Sequence, residues 1–260
     1  MPPTNKRFVI PFENGQAAFA VHSSEHSDPA QAARLLGFTQ PCPTIYVTGG
    51  AGAMSAEDIH ATQTLVERGL ARFAEDHHAA VIDGGTDTGI PTMLGSARRK
   101  CRYHFPLIGI APLERVRFQG YVGQGEDTTP LNPGHSHFVL TTGDDFGDES
   151  KLITKMTATL SGAGQQPALG VLINGGKIAR QEVYARTTSS RYSFPLIVVE
   201  GSGRFADILA RAFYAGHTEE KDVQAIISKG QLEMVSIDDG PEQMYAKLAA
   251  HFRAFKPTSV

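Results

Sequence analysis

The stretch TIYVTGGAG (44–52) is an apolar, β-branched run that ends abruptly in a glycine turn. Three later stretches repeat the arrangement: AAVIDGGTDTG (79–89), ALGVLINGG (168–176) and PLIVVEGSGR (195–204). A helix-like segment follows each of them. A buried parallel strand that ends in glycine and opens a helix leaves free N–H groups at the positive end of the helix dipole, where phosphate or carboxylate binds well. The four turns therefore predict several anion-binding turns on one edge of a sheet, where ligands bind in open α/β folds.

Strands and helices alternate along most of the chain. The sequence predicts strands near 44–48, 79–83, 106–111, 137–142, 168–173, 195–200 and 232–237. It predicts helices near 55–75, 88–101, 149–161, 177–189, 204–215, 219–229 and 241–254. Such alternation is typical of a parallel sheet with right-handed crossovers and helices on both faces.

The N-terminal segment has a different pattern. Residues 7–12 and 16–22 resemble two strands, and the Asn14-Gly15 pair between them is a strong hairpin signal. The predicted fold is therefore α/β, a Rossmann-like doubly wound, mainly parallel sheet of about seven strands with an N-terminal β-hairpin. We expect a single domain over 1–260, with 1–42 as an appendage.

Composition argues against several classes of function. The chain has 24 Lys and Arg against 27 Asp and Glu, a formal net charge of −3, so no basic excess indicates nucleic-acid binding. No apolar stretch approaches the roughly 18 residues of a membrane span, and the N-terminus lacks a signal-peptide pattern. Two cysteines do not make a disulfide framework, which favours a reducing compartment. We expect a cytoplasmic homo-oligomer that binds neither nucleic acid nor membrane.

The first turn, Thr48-Gly49-Gly50-Ala51-Gly52, departs from known nucleotide motifs. Its spacing is not G-x-G-x-x-G, and the chain has no G-K-[ST] sequence of a Walker A motif, so a dehydrogenase or a P-loop NTPase is disfavoured. We predict that this turn contacts phosphate or ribose. The alternative is a tight turn without a ligand.

The second turn spans residues 83–89 and combines glycines with hydroxyl and carboxylate groups. Asp83 or Asp87 would suit ribose hydroxyls, whereas two acids argue against a dense phosphate cradle. The alternative is that Asp87 or Thr88 only caps the next helix. The candidate ligand contacts here are Gly84, Gly85, Thr86 and Thr88.

A histidine pair, His135-Ser136-His137, opens the fourth predicted strand. Alternation along a strand would put both imidazoles on one face. Two histidines can ligate zinc, but no cysteine with a suitable spacing completes such a site, so no metal is expected. We predict that this segment packs or donates hydrogen bonds to a ligand.

The third turn contains Gly175-Gly176, and Glu182 follows about one and a half turns into the next helix. Its carboxylate could accept ribose hydroxyls or stabilise positive charge on an anomeric carbon. The alternative is a solvated glutamate on the helix surface.

The fourth turn, Gly201-Ser202-Gly203-Arg204, places a cation in the first turn of a helix. A cation there opposes the helix dipole, which an anion bound to the guanidinium would explain. The alternative is a surface pair between Arg204 and Asp207.

Residues 112–136 are the one long stretch expected to be irregular, since they are rich in glycine and proline. Loops of this length in compact domains are often functional or mobile. We expect a lid from which Arg115, Arg117 or Tyr121 reaches the ligand, with a subunit contact as the competing interpretation.

Several motifs together resemble a known family. HSHFVL (135–140), GDDFGDES (143–150), VLINGG (171–176) and VVEGSGRFADILA (198–210) are similar to the N-terminal cytosolic (LSDAT) region of melastatin-type TRP channels. TGGAG and DGGTDTGIPTMLG are similar in position to further glycine turns of that region. The chain thus resembles the stand-alone prokaryotic branch of the SLOG superfamily, which also includes the DprA proteins and the Lonely Guy (LOG) phosphoribohydrolases.

The resemblance implies a Rossmann-like fold and a nucleotide-derived ligand such as ADP-ribose, NAD or a cyclic ADP-ribose relative, with no required cofactor. Residues 201–204 would hold a phosphate or a terminal ribose. In the phosphoribohydrolases, the motif P-G-G-x-G-T-x-x-E supplies a catalytic glutamate. Glu182 keeps that position here, but Ile178 and Ala179 replace Gly-Thr, which removes a flexible turn and a phosphate-binding hydroxyl.

Three functions follow as expectations. The preferred one is binding or sensing of a small-molecule nucleotide. The alternative is an N-glycosidase, a nucleoside monophosphate phosphoribohydrolase in which Glu182 is catalytic. In the third, the glycine turns serve only the fold.

Overall fold

The computed structural model describes residues 1–24, 27–125, 127–189 and 191–257. The strands are β1 (Arg7–Pro11), β2 (Ala17–Ser23), β3 (Thr44–Gly49), β4 (Ala80–Asp83), β5 (Leu107–Pro112), β6 (Val116–Phe118), β7 (Tyr121–Val122), β8 (Thr129–Pro130), β9 (His137–Thr141), β10 (Ala168–Ile173), β11 (Leu196–Glu200) and β12 (Leu232–Ser236). The α-helices are α1 (Pro29–Leu36), α2 (Ala56–Leu65), α3 (Arg72–Asp76), α4 (Gly89–Lys100), α5 (Ser150–Leu160), α6 (Lys177–Thr188), α7 (Arg204–Ala215), α8 (Lys221–Lys229) and α9 (Gly240–Ala254). A π-helical segment, Val66–Ala71, connects α2 to α3. Within the described part of the chain, no helix is both long and apolar enough to span a bilayer.

The main sheet has nine strands in the order β1-β2-β9-β5-β4-β3-β10-β11-β12. Every neighbouring pair is parallel except β1 with β2. Six adjacent strands are β5-β4-β3-β10-β11-β12. If these six are numbered 1 to 6 in chain order, beginning with β3, their order in the sheet is 3-2-1-4-5-6, which is that of a Rossmann fold. The predicted Rossmann-like, mainly parallel α/β fold is therefore confirmed. The N-terminal hairpin continues this sheet, because β2 pairs with β9.

Helices cover both faces of the sheet, because successive strand residues point to opposite sides. In β3, Tyr46 packs into the core beneath α1, α5, α6, α7 and α8. Its neighbours Ile45 and Val47 pack into the second core, beneath α2, α3, α4 and α9. The central strands β3, β4, β5, β10 and β11 are buried on both faces, as expected for a doubly wound sheet.

The four glycine turns lie side by side. They follow β4, β3, β10 and β11, which are adjacent in the sheet. From β3, the chain proceeds outward through β4 and β5 on one side, and later through β10 and β11 on the other. The boundary between β3 and β10 is therefore a topological switch point, where open α/β sheets form a ligand crevice. The predicted grouping of the four turns on one edge is confirmed.

The expectation that residues 112–136 are irregular is wrong. A short 3₁₀ helix, Leu113–Arg115, leads into a small sheet of order β7-β6-β8. Leu113 and Val116 are fully buried in a third core, together with Phe138 of β9. The apolar residues of this stretch have no simple periodicity in the sequence. In the structure they nevertheless pack against one face of the part of the sheet formed by β1, β2, β5 and β9. Glu126 lies outside the described residues.

Candidate functional site

A cleft of about 720 Å³ lies at the switch point, above the carboxyl ends of β3, β4 and β10. The four-turn edge thus contains a cavity at the position expected for a doubly wound sheet. Its size falls within the roughly 300–1,000 Å³ of small-molecule sites.

Eleven of the residues predicted to contact a ligand or to act in catalysis line this cleft. They are Thr48, Gly49, Gly50, Ala51, Gly52, Gly84, Thr86, Thr88, Gly176, Glu182 and Arg204. The other eight do not line it: Gly85, His135, Ser136, His137, Gly175, Gly201, Ser202 and Gly203. Residues that the sequence analysis did not select also line it, among them Phe146, Glu149, Lys177 and Ile178.

Arg204 is the cation that lies between the first and third glycine turns. A Cβ at Gly52 would lie 3.0 Å from its Nη1, and a Cβ at Gly176 would lie 2.9 Å from its Nη2. The absence of side chains at these two positions leaves room for the guanidinium. Arg204 also has a φ of 46°, a left-handed conformation that non-glycine residues rarely adopt. Such local strain is often found at functional sites.

Arg204 is not engaged in a surface pair with Asp207. Asp207 Oδ1 instead accepts the N–H of Gly201 at 2.8 Å. Across the described residues, no ion pair or hydrogen bond involves the Arg204 guanidinium. The guanidinium therefore remains available to an anion in the cleft.

Hydrogen bonds to the third turn hold the fourth turn, and with it the backbone of Arg204, in place. The N–H groups of Phe205 and Ala206 bond the carbonyl oxygens of Gly175 and Asn174, at 3.3 and 2.9 Å. Ser202 Oγ accepts the N–H of Asn174 at 2.7 Å. The first N–H groups of α7 are thus occupied by the third turn, and Arg204 is the part of the fourth turn that reaches the cleft.

The N-termini of α4 and α6 open onto the cleft without compensation. Neither helix has a side-chain cap or an acidic residue in its first turn, whereas α5, which also lacks a side-chain cap, follows Glu149 directly. Capping by Thr88, one alternative for the second turn, is therefore absent. Lys177, the first residue of α6, adds a positive charge beside Arg204. Free N–H groups, helix dipoles and two cations together favour an anion.

Glu182 is held rigidly and is not the solvated surface residue of the alternative interpretation. It is 7% exposed, and it accepts the hydroxyl of Thr48 on Oε2. On Oε1 it accepts Ser150 Oγ at 2.6 Å and Arg186 Nη2 at 3.1 Å. Arg186 is 1% exposed and lies over the Tyr46 ring at 4.7 Å. The carboxylate of Glu182 is therefore a fixed, charge-compensated wall of the cleft.

Glu149 is a second buried carboxyl group in the cleft. It is 6% exposed, and its Oε2 accepts the N–H of Gly147 at 2.7 Å. Burial raises the pKa of Glu149 to about 7, and the nearby carboxylates of Glu182 and Asp148 also act in that direction. Glu149 is thus protonated through mildly acidic pH and can donate a hydrogen bond or a proton.

The two histidines have separate environments, so the prediction that they share a face is wrong. His135 precedes β9, where alternation does not apply, and its Nε2 lies 2.8 Å from Asp83 Oδ1. His137 lies between the rings of Phe19 and Phe38. Burial lowers the pKa of His137 to about 4, and Arg98 contributes to the shift. No cluster of three or more His, Cys, Asp or Glu side chains arranged for a metal occurs among the described residues.

Residues 112–136 do not cover the cleft. None of the described residues in this range lines it. Tyr121 donates its hydroxyl to Glu114 at 3.1 Å, and Arg117 donates to the carbonyl of Thr128. The lid prediction is wrong in position: the segment bordering the cleft is the turn before α5, with Phe146 and Glu149.

Glu149 and Phe146 were not predicted as site residues, because the acidic turn 143–150 does not have the pattern of the other four turns, in which an apolar run ends in glycine. Their signal was the motif GDDFGDES itself, which contributed only to the family resemblance.

Comparison with known proteins agrees with the fold. A family model described as SLOG in TRPM, prokaryote, matches residues 42–246. The chain is 28% identical over 209 residues to rat transient receptor potential cation channel subfamily M member 2, which covers 67% of this chain and 14% of the channel. It is 27% identical over 263 aligned residues to the subfamily M member-like 2 protein of Nematostella vectensis, covering 85% of this chain and 16% of that protein.

A third relative is human subfamily M member 6, at 28% identity over 173 residues, 56% of this chain and 8% of that channel. The chain therefore corresponds to a small part of these much longer proteins. Because the family model matches most of the sequence, the chain belongs to the prokaryotic SLOG family related to TRPM channels.

Proposed function

We propose that the chain binds and senses a nucleotide-derived ligand of the ADP-ribose, NAD or cyclic ADP-ribose type in the switch-point cleft. The observation that carries this proposal is that Arg204 and Lys177, which have no acidic partner among the described residues, line one cleft together with the uncompensated N-termini of α4 and α6.

The distribution of charge in the cleft supports a ligand with two different ends. The Arg204 guanidinium lies against Gly52 and Gly176, and Lys177 directly follows the third turn, so these two cations suit a phosphate or diphosphate. Asp83, Glu149 and Glu182 also line the cleft and suit hydroxyl or amine donors. Free phosphate would contact only the two cations, whereas a nucleotide would contact the cations and the carboxyl groups.

Titration calorimetry with ADP-ribose, NAD, AMP and inorganic phosphate tests the proposal. At least one nucleotide should bind more tightly than phosphate. R204A should weaken that binding by about 10- to 100-fold, since a hydrogen bond to a charged group contributes about 1.5–3 kcal/mol.

Arg211 supplies the matched control. It lies on the same helix as Arg204, is exposed, and does not line the cleft. R211A changes the net charge equally and should leave the affinity unchanged. Absence of heat and of a thermal shift across the nucleotide panel would refute the proposal. Equal losses of affinity in R204A and R211A would show that Arg204 attracts the nucleotide only through long-range charge and does not contact it.

Glu149 favours a second candidate, the N-glycosidase. A protonated Glu149 could donate its proton to the base as the glycosidic C–N bond breaks, while the Glu182 carboxylate, paired with Arg186, stabilises positive charge on the anomeric carbon. Water would then form the new C–O bond at that carbon and release a proton. Incubation with AMP, NAD and ADP-ribose, followed by chromatography of the free base, decides between binder and enzyme. Intact nucleotide supports the sensor; base release that disappears in both E182Q and E149Q supports the hydrolase.

A further inference from the structure

Asp83 ends β4 at the floor of the cleft and has one carboxylate oxygen without a partner. Its Oδ1 accepts the N–H of Gly85 at 2.7 Å and faces His135 Nε2 at 2.8 Å. Its Oδ2 is buried and forms no hydrogen bond within the described structure. A buried, unpartnered carboxylate oxygen is costly and rare in native proteins. Since Asp83 also lines the cleft, a donor on a bound ligand can supply the missing bond.

The neighbours of Asp83 determine what kind of donor fits. Asn132 Nδ2 donates to Asp87 Oδ1 at 2.7 Å, and Asn132 Oδ1 accepts the N–H of Gly134 at 2.8 Å. The oxygen of Asn132 therefore faces His135 Nδ1, at 3.4 Å. The His135 ring is thus held between Asn132 and Asp83, and Asp83 Oδ1 already has two neighbours, the Gly85 N–H and the His135 ring. Only Oδ2 of Asp83 is left for a group on a ligand.

One buried free acceptor suits a ligand group with one donor. A hydroxyl satisfies Oδ2 with its single proton, whereas a ligand ammonium would bring three N–H donors to one free oxygen. The described residues form no group of three or more His, Cys, Asp or Glu side chains that could hold a metal ion here. We propose that Asp83 is the residue that recognises a sugar hydroxyl of the ligand and that it makes the cleft selective for ribose over deoxyribose. This inference rests on the proposed function, because it assumes that the cleft holds a nucleotide-derived ligand.

Asp83 is held in position for this role by the hydrogen bonds to Oδ1, which leave the side chain little freedom. A site built to hydrogen-bond a hydroxyl discriminates strongly against an analogue that lacks it, because the buried polar group is then left unpaired. We therefore expect selectivity to appear as a loss of affinity for the deoxy analogue rather than as a gain for the ribose form.

The experiment compares ADP-ribose with analogues that each lack one hydroxyl of either ribose, by titration calorimetry on the full chain. In the wild-type protein, removal of one particular hydroxyl should weaken binding by about tenfold or more. In D83N, the ratio of affinities for the two ligands should fall to within about threefold of unity, since Asn presents a weaker, neutral partner.

Asp87 provides a matched control in the same turn. Its Oδ1 accepts Asn132 Nδ2 and Thr92 Oγ1, it is exposed, and it does not line the cleft. D87N makes the same chemical change as D83N and should keep the wild-type selectivity. Loss of selectivity in D87N as well as D83N would overturn the assignment to Asp83.

The outcomes separate this inference from the proposed function. If the wild type binds ADP-ribose and every deoxy analogue equally well, the Asp83 inference is overturned while nucleotide binding stands. If no nucleotide binds, the proposed function fails first. If D83N does not fold, the wild-type comparison still decides, and selectivity retained by a folded D83N excludes Asp83 as its source.

Discussion

Thr48 donates its hydroxyl to Glu182 across the switch point, although 134 residues separate the two in the chain. Thr48 lies next to Leu172 in the β3–β10 pairing, and Glu182 lies on the helix that follows β10. The bond therefore joins the first glycine turn to the third at the place where the cleft opens. It also holds the carboxylate against the wall of the cleft, together with Ser150 and Arg186.

Replacement of Thr48 by valine should destabilise the fold. Thr48 is 5% exposed, and valine has nearly the same shape without the hydroxyl. Glu182 would lose one donor, and a hydrogen bond to a charged group contributes about 1.5–3 kcal/mol. Urea unfolding should show a loss of this size. T48S, which keeps the hydroxyl, should recover most of it. An unfolding free energy in T48V equal to that of the wild type would show that the bond contributes nothing.

Replacement of Arg186 should lower the free energy of unfolding more than replacement of Thr48, because Arg186 carries the charge that compensates Glu182. R186M leaves a buried carboxylate without its cation, which costs about 3–5 kcal/mol in comparable pairs. The double variant E182Q/R186M removes both charges and should lose much less than the sum of the single losses. Additive losses in this double-mutant cycle, measured by urea unfolding, would show that the two side chains are not coupled.

The sheet and its turns could be predicted because their signals are local. The run 44–52 contains both the buried strand β3 and the glycine turn that ends it, and the same holds for the other three stretches. The spacing of Ser55 and Asp58 is that of a capping box, and the structure has one at the N-terminus of α2. Parallel strands bring their carboxyl ends to one edge, so the position of the cleft followed from local patterns alone.

The electrostatics of the cleft could not be predicted in the same way. Glu182 is compensated by Arg186 one turn along its own helix, but also by Thr48 and Ser150 from other elements. Burial of Glu149 depends on how the turn 143–149 folds against α6. Such contacts join residues far apart in the chain, and no periodicity records them.

Glu149 should make stability depend on pH. Its pKa rises from 4.5 to about 7 in the folded protein, so the folded state holds a proton that the unfolded state releases. The contribution is present in full below pH 4.5 and is lost as the pH rises through about 7. The loss amounts to about 3 kcal/mol at most, at 1.36 kcal/mol per pKa unit.

The variant E149Q isolates this effect, because glutamine resembles the protonated acid at every pH. E149Q should match the wild type near pH 4 and exceed its unfolding free energy at pH 8. Urea unfolding at several pH values measures the difference, and parallel curves for the two proteins would exclude Glu149 as the titrating group.

The last prediction concerns the room that glycine leaves for Arg204. In G52A, the new Cβ would lie 3.0 Å from Arg204 Nη1, and the flexible guanidinium would move away. Folding stability should change by no more than about 0.5 kcal/mol, because the end of a flexible side chain can yield cheaply. Nucleotide affinity should fall by about three- to tenfold, since a displaced guanidinium makes a poorer bond to phosphate. Calorimetry in the R204A background supplies the decisive comparison. If the Gly52 methyl acts through Arg204, adding G52A to R204A should lower affinity no further, whereas an undiminished loss would mean that the methyl blocks the ligand directly.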